Sequence, residues 1–130
     1  METTRMFARS VLIADDELHV GRVMTHRLQA AGCDVRVARD GQEAFEMAMQ
    51  EWPDVLLTDN RMPGLSGLEL CRKLQEQPAT VGIPTIMVTA RDFEVSDLEI
   101  VRTAILQVIG KPFSPGRVAA AVLGLLAGLE

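Results

Sequence analysis

Four short apolar runs in this chain each lead into a residue that phosphoryl chemistry can use. Val11-Leu12-Ile13-Ala14 runs into Asp15-Asp16, and Val55-Leu56-Leu57-Thr58 into Asp59. Ile86-Met87-Val88 runs into Thr89, and Leu106 to Ile109 runs through Gly110 into Lys111-Pro112. If the four runs are parallel strands of one sheet, three carboxylates, one hydroxyl and one ammonium meet along a single edge. Ligands of open α/β sheets bind at the carboxyl ends of the strands. A carboxylate can act as a nucleophile toward phosphorus, and phosphoryl transfer otherwise needs positioning and neutralisation of the equatorial oxygens. Mg²⁺ suits that task because it takes oxygen ligands in near-octahedral geometry and keeps several waters. Asp15 and Asp16 can hold such a cation directly or through water. Asp59 can be both nucleophile and ligand. Lys111 offers a compact positive charge, and Thr89 a hydroxyl donor. Singly, each piece has an ordinary structural explanation: a solvated helix cap, a strand threonine, a surface turn. Together, each at a strand end, they describe a site.

The elements that must bring these residues together are legible in the pattern. Strand and helix segments alternate five times, which predicts an α/β parallel sheet. Strand one is Ser10 to Ala14, a continuous aliphatic run suited to a strand buried on both faces. A helix over Glu17 to Ala31 follows, with Val20, Val23, Met24, Leu28 and Ala31 at helical spacing and Gly32 as its stop. Strand two, Asp34 to Ala38, alternates Val35 and Val37 with Arg36 and reads as a half-exposed strand near an edge. Asp40-Gly41 starts helix two, with Ala44, Phe45, Ala48 and Met49 as its apolar stripe. Pro53 delivers the chain to strand three, Val55 to Asp59. The Met62-Pro63-Gly64 turn precedes helix three, Leu65 to Gln75, which buries Leu65, Leu68, Leu70 or Cys71, and Leu74. Strand four is Thr85 to Thr89. Helix four falls between Asp92 and Ala104, strand five between Ile105 and Gly110, and helix five begins at Ser114-Pro115, with Pro in a first-turn position.

A length of 130 residues fits one domain, 1–130, with a core that needs no staples. Five βα units use the whole chain and leave no room for an output domain. The net charge of −5 and the lack of a Lys/Arg stripe exclude a nucleic-acid footprint. Cys33 and Cys71 are far apart, without metal-ligand or redox-motif spacing, and read as thiols in a reducing compartment. No signal-peptide core opens the chain. The longest apolar run, Val118 to Leu129, is shorter than the roughly 20 residues that span a bilayer. The cytoplasm is the default location. His19 and His26 fall on helix one, away from the strand ends, and read as helix-surface histidines.

The chain resembles the receiver domain of two-component response regulators, of the chemotaxis-regulator type. The matching residues run in family order: Val11 to Glu17, Asp40-Gly41-Gln42-Glu43-Ala44, Pro53 to Asp59, Met62 to Leu70, Ile86 to Ala90, and Lys111-Pro112-Phe113. The resemblance implies a (βα)5 doubly wound, flavodoxin-like five-stranded parallel sheet of order 2-1-3-4-5. It implies that Asp59 accepts a phosphoryl group from a histidine kinase or phosphotransfer protein. Asp16 would be the main acidic Mg²⁺ ligand, supported by Asp15, with Asp59 and the backbone carbonyl of Arg61 completing the set. Thr89 would be the switch hydroxyl and Lys111 the phosphate-binding lysine. Lys111-Pro112 is a candidate cis peptide. The domain would act as a phosphorylation-controlled interaction module rather than an enzyme, altering the face of helix four, strand five and helix five.

Three positions depart from the family pattern. Val108 stands three residues before the lysine, where the family carries an aromatic that rotates inward as the threonine moves. Valine has no ring and is stiff at χ1. Thr103-Ala104-Ile105 replaces a small Gly-Ala turn. Arg61 and Arg91 stand two residues beyond Asp59 and Thr89, where the family tunes the lifetime of the aspartyl phosphate, and an arginine there can pair with a phosphate. Val108 supports a rival reading, a scaffold-like pseudo-receiver indifferent to phosphorylation, which the intact Asp16, Asp59, Thr89 and Lys111 oppose. A flavin or nucleotide binder would want a glycine-rich loop after strand one. A haloacid-dehalogenase-type enzyme would want an acid at position 61. The last helix carries more apolar residues than one core-facing stripe needs, which points to a homodimer or partner surface or, equally, to a junction with further chain of a longer protein.

Overall fold

The computed structural model describes residues 9–89 and 102–128. Its elements are β1 (Ser10–Ala14), α1 (Leu18–Ala30), β2 (Asp34–Ala38), α2 (Gly41–Gln50), β3 (Val55–Asp59), α3 (Gly67–Gln75), β4 (Thr85–Thr89), β5 (Ile105–Gly110) and α4 (Pro115–Ala127). The five strands are parallel and lie in the order β2-β1-β3-β4-β5. This is the expected topology, and all five strands fall where the apolar runs placed them. Most of the span read as helix four, together with Arg91, lies outside the described residues.

Successive strand residues face opposite sides of the sheet, so each strand feeds two cores. Val11, Ile13, Val55, Leu57, Ile86, Val88 and Ile109 pack with Met24 and Leu28 of α1 and Val118, Val122 and Leu126 of α4. Leu12, Ala14, Leu56, Met87 and Ile105 pack with Ala44 and Ala48 of α2 and Leu70, Cys71 and Leu74 of α3. β1, β3 and β4 are buried on both faces almost throughout, whereas β2 stays half-exposed at its edge. Covering a sheet on both sides is what makes its central strands uniformly aliphatic.

Local chemistry sets the helix ends. Asp40 caps α2 by accepting from the Glu43 N–H. Ser66 and Glu69 form a reciprocal capping box at α3, so this helix starts at Gly67 and not at Leu65. Ser114 caps α4 with Pro115 just inside. In α2 the buried positions are Gly41, Ala44 and Ala48, and Met49, expected on the apolar stripe, is 41% exposed. Met47, not Met49, packs against the α2–α3 core. At the start of the helix, a Cβ on Gly41 would sit 2.5 Å from the Leu65 carbonyl oxygen, so the contact there needs a glycine. Cys33 and Cys71 are free thiols, and burial pushes Cys71 up to about 12, far from the thiolate form. The apolar excess of α4 is taken up largely within the fold: Val118, Ala119, Val122 and Leu126 are buried, and Ala121, Leu123 and Leu125 pack half-buried against the same core. No described helix is long and apolar enough to cross a membrane.

Candidate functional site

The parallel register brings the predicted residues to one end of the sheet. Asp59 closes β3, and the residue paired with it is Val88, one short of Thr89. Thr89 pairs with Gly110, and its carbonyl accepts the Lys111 N–H at 2.7 Å. Asp15 follows β1 directly, with its N–H donated to the Ala38 carbonyl of β2. Asp15, Asp59 and Thr89 are all buried, at 7%, 4% and 3% exposure. Buried carboxylates that close together are costly unless a cation or donors compensate.

Lys111 supplies part of that compensation. Its ammonium lies 3.2 Å from Asp59 Oδ2 and 3.4 Å from Glu17 Oε1. The peptide bond that follows, Lys111-Pro112, is cis. Burial pulls the lysine pKa down, but the Asp59 carboxylate, with Asp15 and Glu17 behind it, outweighs this and leaves it above the ordinary value. Asp15 moves in its own direction. Desolvation raises it to about 6, helped by the Asp59 charge, while its hydrogen bond from the Glu17 N–H and the nearby Lys111 work the other way.

One carboxylate oxygen from each of Asp15, Glu17 and Asp59 lies within 4.8 Å of the others. Three clustered oxygen donors of this kind fit a hard divalent cation such as Mg²⁺. Asp16 is exposed and stands outside this group. Asp16 sits at a bend between β1 and α1, and the Glu17 N–H donates to Asp15 Oδ1 at 2.8 Å, which ties Asp15 and Glu17 together across it. The run of three acids Asp15-Asp16-Glu17 is the sequence signal for Glu17, which the Asp-Asp pair alone does not include. Arg61 is exposed on the loop after β3.

The loop beyond Asp59 is held by Asn60, a second residue the sequence reading missed. Its N–H donates to the Val88 carbonyl, its own carbonyl accepts from Gly67, and its Oδ1 accepts the Leu68 N–H at 3.0 Å. A Cβ on Gly67 would lie 2.3 Å from the Asp59 carbonyl oxygen, so α3 can start this close only from a glycine. Beside the site, Val20, Val23 and Met24 of α1 with Lys111, Pro112 and Phe113 border an apolar pocket of about 550 Å³.

The profile of the response regulator receiver domain matches residues 11–123. The chain belongs to this family. It is 34% identical over 121 residues to the phosphate regulon transcriptional regulatory protein PhoB of Pseudomonas aeruginosa, covering 93% of this chain and 53% of that protein. A similar match is to the alkaline phosphatase synthesis transcriptional regulatory protein PhoP of Bacillus subtilis, 34% identical over 118 residues, 91% of this chain and 48% of that one. This chain thus spans about half the length of the curated relatives it matches. Among solved structures, the receiver domain of Francisella response regulator 1452 superposes with a TM-score of 0.83 at 28% identity, covering 94% of this chain and 99% of that one. The chemotaxis response regulator CheY4 of Vibrio cholerae gives 0.81 at 27% identity, over 91% and 98% of the two chains. The receiver family belongs to two-component signalling, and its domains bind Mg²⁺ at an acidic pocket; this receiver has an acidic cluster of Asp15, Glu17 and Asp59. Its fold is not that of a classical enzyme family.

Proposed function

We infer that this receiver is a phosphoacceptor module in which Asp59 takes a phosphoryl group from the phosphohistidine of a histidine kinase or phosphotransfer protein. The observation that carries this reading is the buried Asp59 carboxylate, ion-paired to Lys111 at 3.2 Å and flanked by Asp15. In the transfer, an Asp59 oxygen forms the bond to phosphorus as the phosphorus–nitrogen bond of the donor breaks, and the donor imidazole regains a proton. Asp15 and Asp59 would hold Mg²⁺, with Asp16 and the Arg61 carbonyl completing its shell from the loops they occupy. The cation supplies neutralisation of charge on the transferred oxygens. Lys111, already beside Asp59, would extend its contact to a phosphoryl oxygen, and the Thr89 hydroxyl would donate to another. Those contacts would bias the surface formed by β5 and α4. The pocket between α1 and Phe113 lies beside the site and suits the apolar side of a phosphodonor partner. The apolar residues of α4 would serve a homodimer or partner contact once the half-buried Leu123 and Leu125 are covered further.

The test is intact-mass measurement after incubation with acetyl phosphate and Mg²⁺, with Asp59→Asn alongside. A Mg²⁺-dependent gain of one phosphoryl group, absent from the variant, is expected. No gain in the wild-type chain would favour the scaffold reading. One observation lends that second reading weight: Val108 is half-buried against the α2–α3 core, and no ring occupies that position to follow a moving threonine.

A further inference from the structure

We propose that Glu17 is a positioning residue that shares the Lys111 ammonium with Asp59 and retains it at the rim of the site until a phosphoryl group draws it inward. The proposal rests on the phosphoacceptor reading for its purpose, but its geometry stands without it. Lys111 Nζ is 3.4 Å from Glu17 Oε1 and 3.2 Å from Asp59 Oδ2, so one ammonium bridges two carboxylates of very different exposure. The Asp59 side chain is 3% exposed and that of Glu17 60%. The buried partner sets where the lysine stem enters, and the exposed one sets how far the head group leans toward solvent. Glu17 makes no side-chain cap bond to α1, so its side chain is not committed to holding that helix. Its backbone N–H is committed instead, donated to Asp15 Oδ1 at 2.8 Å. That bond fixes Glu17 relative to the site while leaving its carboxylate directed at the lysine.

The arrangement has a consequence for selectivity between resting and phosphorylated states. Two carboxylates take two of the three ammonium donors, so the third can meet a phosphoryl oxygen, and movement of the head group inward then stretches the outer of the two existing pairs. The exposed pair with Glu17 is the weaker, because solvent screens it, so it is the one released. Glu17 thereby keeps Lys111 near Asp59 without competing strongly against a phosphate dianion.

The chain makes the test clean, because Lys73 and Lys111 are its only lysines. Lys73 lies elsewhere, 4.4 Å over the Phe45 ring and hydrogen-bonded to Gln42, and serves as an internal reference. The full chain is treated with an acetylating N-hydroxysuccinimide ester without Mg²⁺, and the Lys111 to Lys73 labelling ratio is read by peptide mass mapping. Glu17→Gln is expected to raise the ratio about threefold, the size of a lost exposed ion pair. Glu17→Asp keeps the charge but shortens the reach by one methylene, and is expected to behave like Glu17→Gln. An unchanged ratio in Glu17→Gln overturns the proposal. So does a wild-type ratio in Glu17→Asp, since the local field alone would then account for the lysine. Asp59 phosphorylation by acetyl phosphate is measured separately on the same proteins. Loss of that labelling in wild type would sink the phosphoacceptor reading while leaving the acetylation ratio intact, and the reverse holds equally.

Discussion

The two sides of the site are built differently. The carboxylates come from β1 and β3, central strands buried on both faces, whose ends are tied to neighbours by the Asp15 N–H to Ala38 and the Asn60 N–H to Val88. The ammonium comes from the end of β5, which lies at the edge of the described sheet and shows Leu106 61% exposed. Negative charge is thus placed where the backbone is most constrained, and the positive charge rides on a long stem from a less enclosed strand. A rigid cluster of like charges cannot relax by moving apart, so it binds a cation or a donor. The mobile partner is the one left free to change its contact. The difference teaches which half of the site stores the electrostatic strain and which half responds to it.

The largest expected effect breaks the rigid side outright. Asp59→Asn should abolish uptake of the phosphoryl group in the intact-mass assay, because among the described residues Asp59 is the one buried carboxylate ion-paired to Lys111. Next comes the backbone that supports it. Gly67→Ala would drive a Cβ into the Asp59 carbonyl, and the melting temperature should fall by roughly 8 °C, about 2 kcal/mol of overpacking, by thermal denaturation followed by circular dichroism. A Gly64→Ala control meets no neighbour but has φ +75°, and should cost less.

A smaller effect concerns the charge itself. Burial raises Asp15 from 3.8 to about 6, so between those values the folded chain keeps a proton the unfolded chain has lost. Stability in the absence of Mg²⁺ should therefore fall as pH rises through that window, with the penalty complete above it. Asp15→Asn should flatten this dependence and melt roughly 4 °C higher than wild type at pH 7.5 without Mg²⁺. Adding Mg²⁺ should raise wild type more than the variant. A wild-type melting curve indifferent to pH between 4 and 6 would contradict the account. The smallest effect tests the mobile side. Val108→Ala should leave the initial rate of Asp59 labelling within about twofold, since Val108 packs against the α2–α3 core rather than in the site. A large loss would mean that β5 transmits more to the acid cluster than its edge position suggests.

Much of this molecule was legible before its coordinates. Continuous aliphatic runs mark central strands because a sheet covered on both faces tolerates little else, and every strand stands where those runs placed it. The residues ending the runs follow with them, since parallel strands in register must deliver their carboxyl ends to one edge. Helix starts were less legible. Ser66 and Glu69 cap each other, and that reciprocal bond moved the start of α3 past Leu65. Size and polarity do not separate Met47 from Met49, and the packed helix turns Met47 toward the core and leaves Met49 41% exposed.

The sequence by itself determined the sheet, its order through the family pattern, and the kinds of group that meet at its edge. Tertiary structure alone decided which acids converge. The bend between β1 and α1 brings the Asp15 and Glu17 carboxylates together beside Asp59, and Lys111, 94 residues from Glu17 along the chain, arrives between Glu17 and Asp59. Spacing in sequence names the candidates, but direction of a side chain depends on the local φ and ψ and on the partner that arrives from a distant strand. Those are properties of the packed chain, so Glu17 became visible as a partner of Lys111 only once the sheet had closed around them.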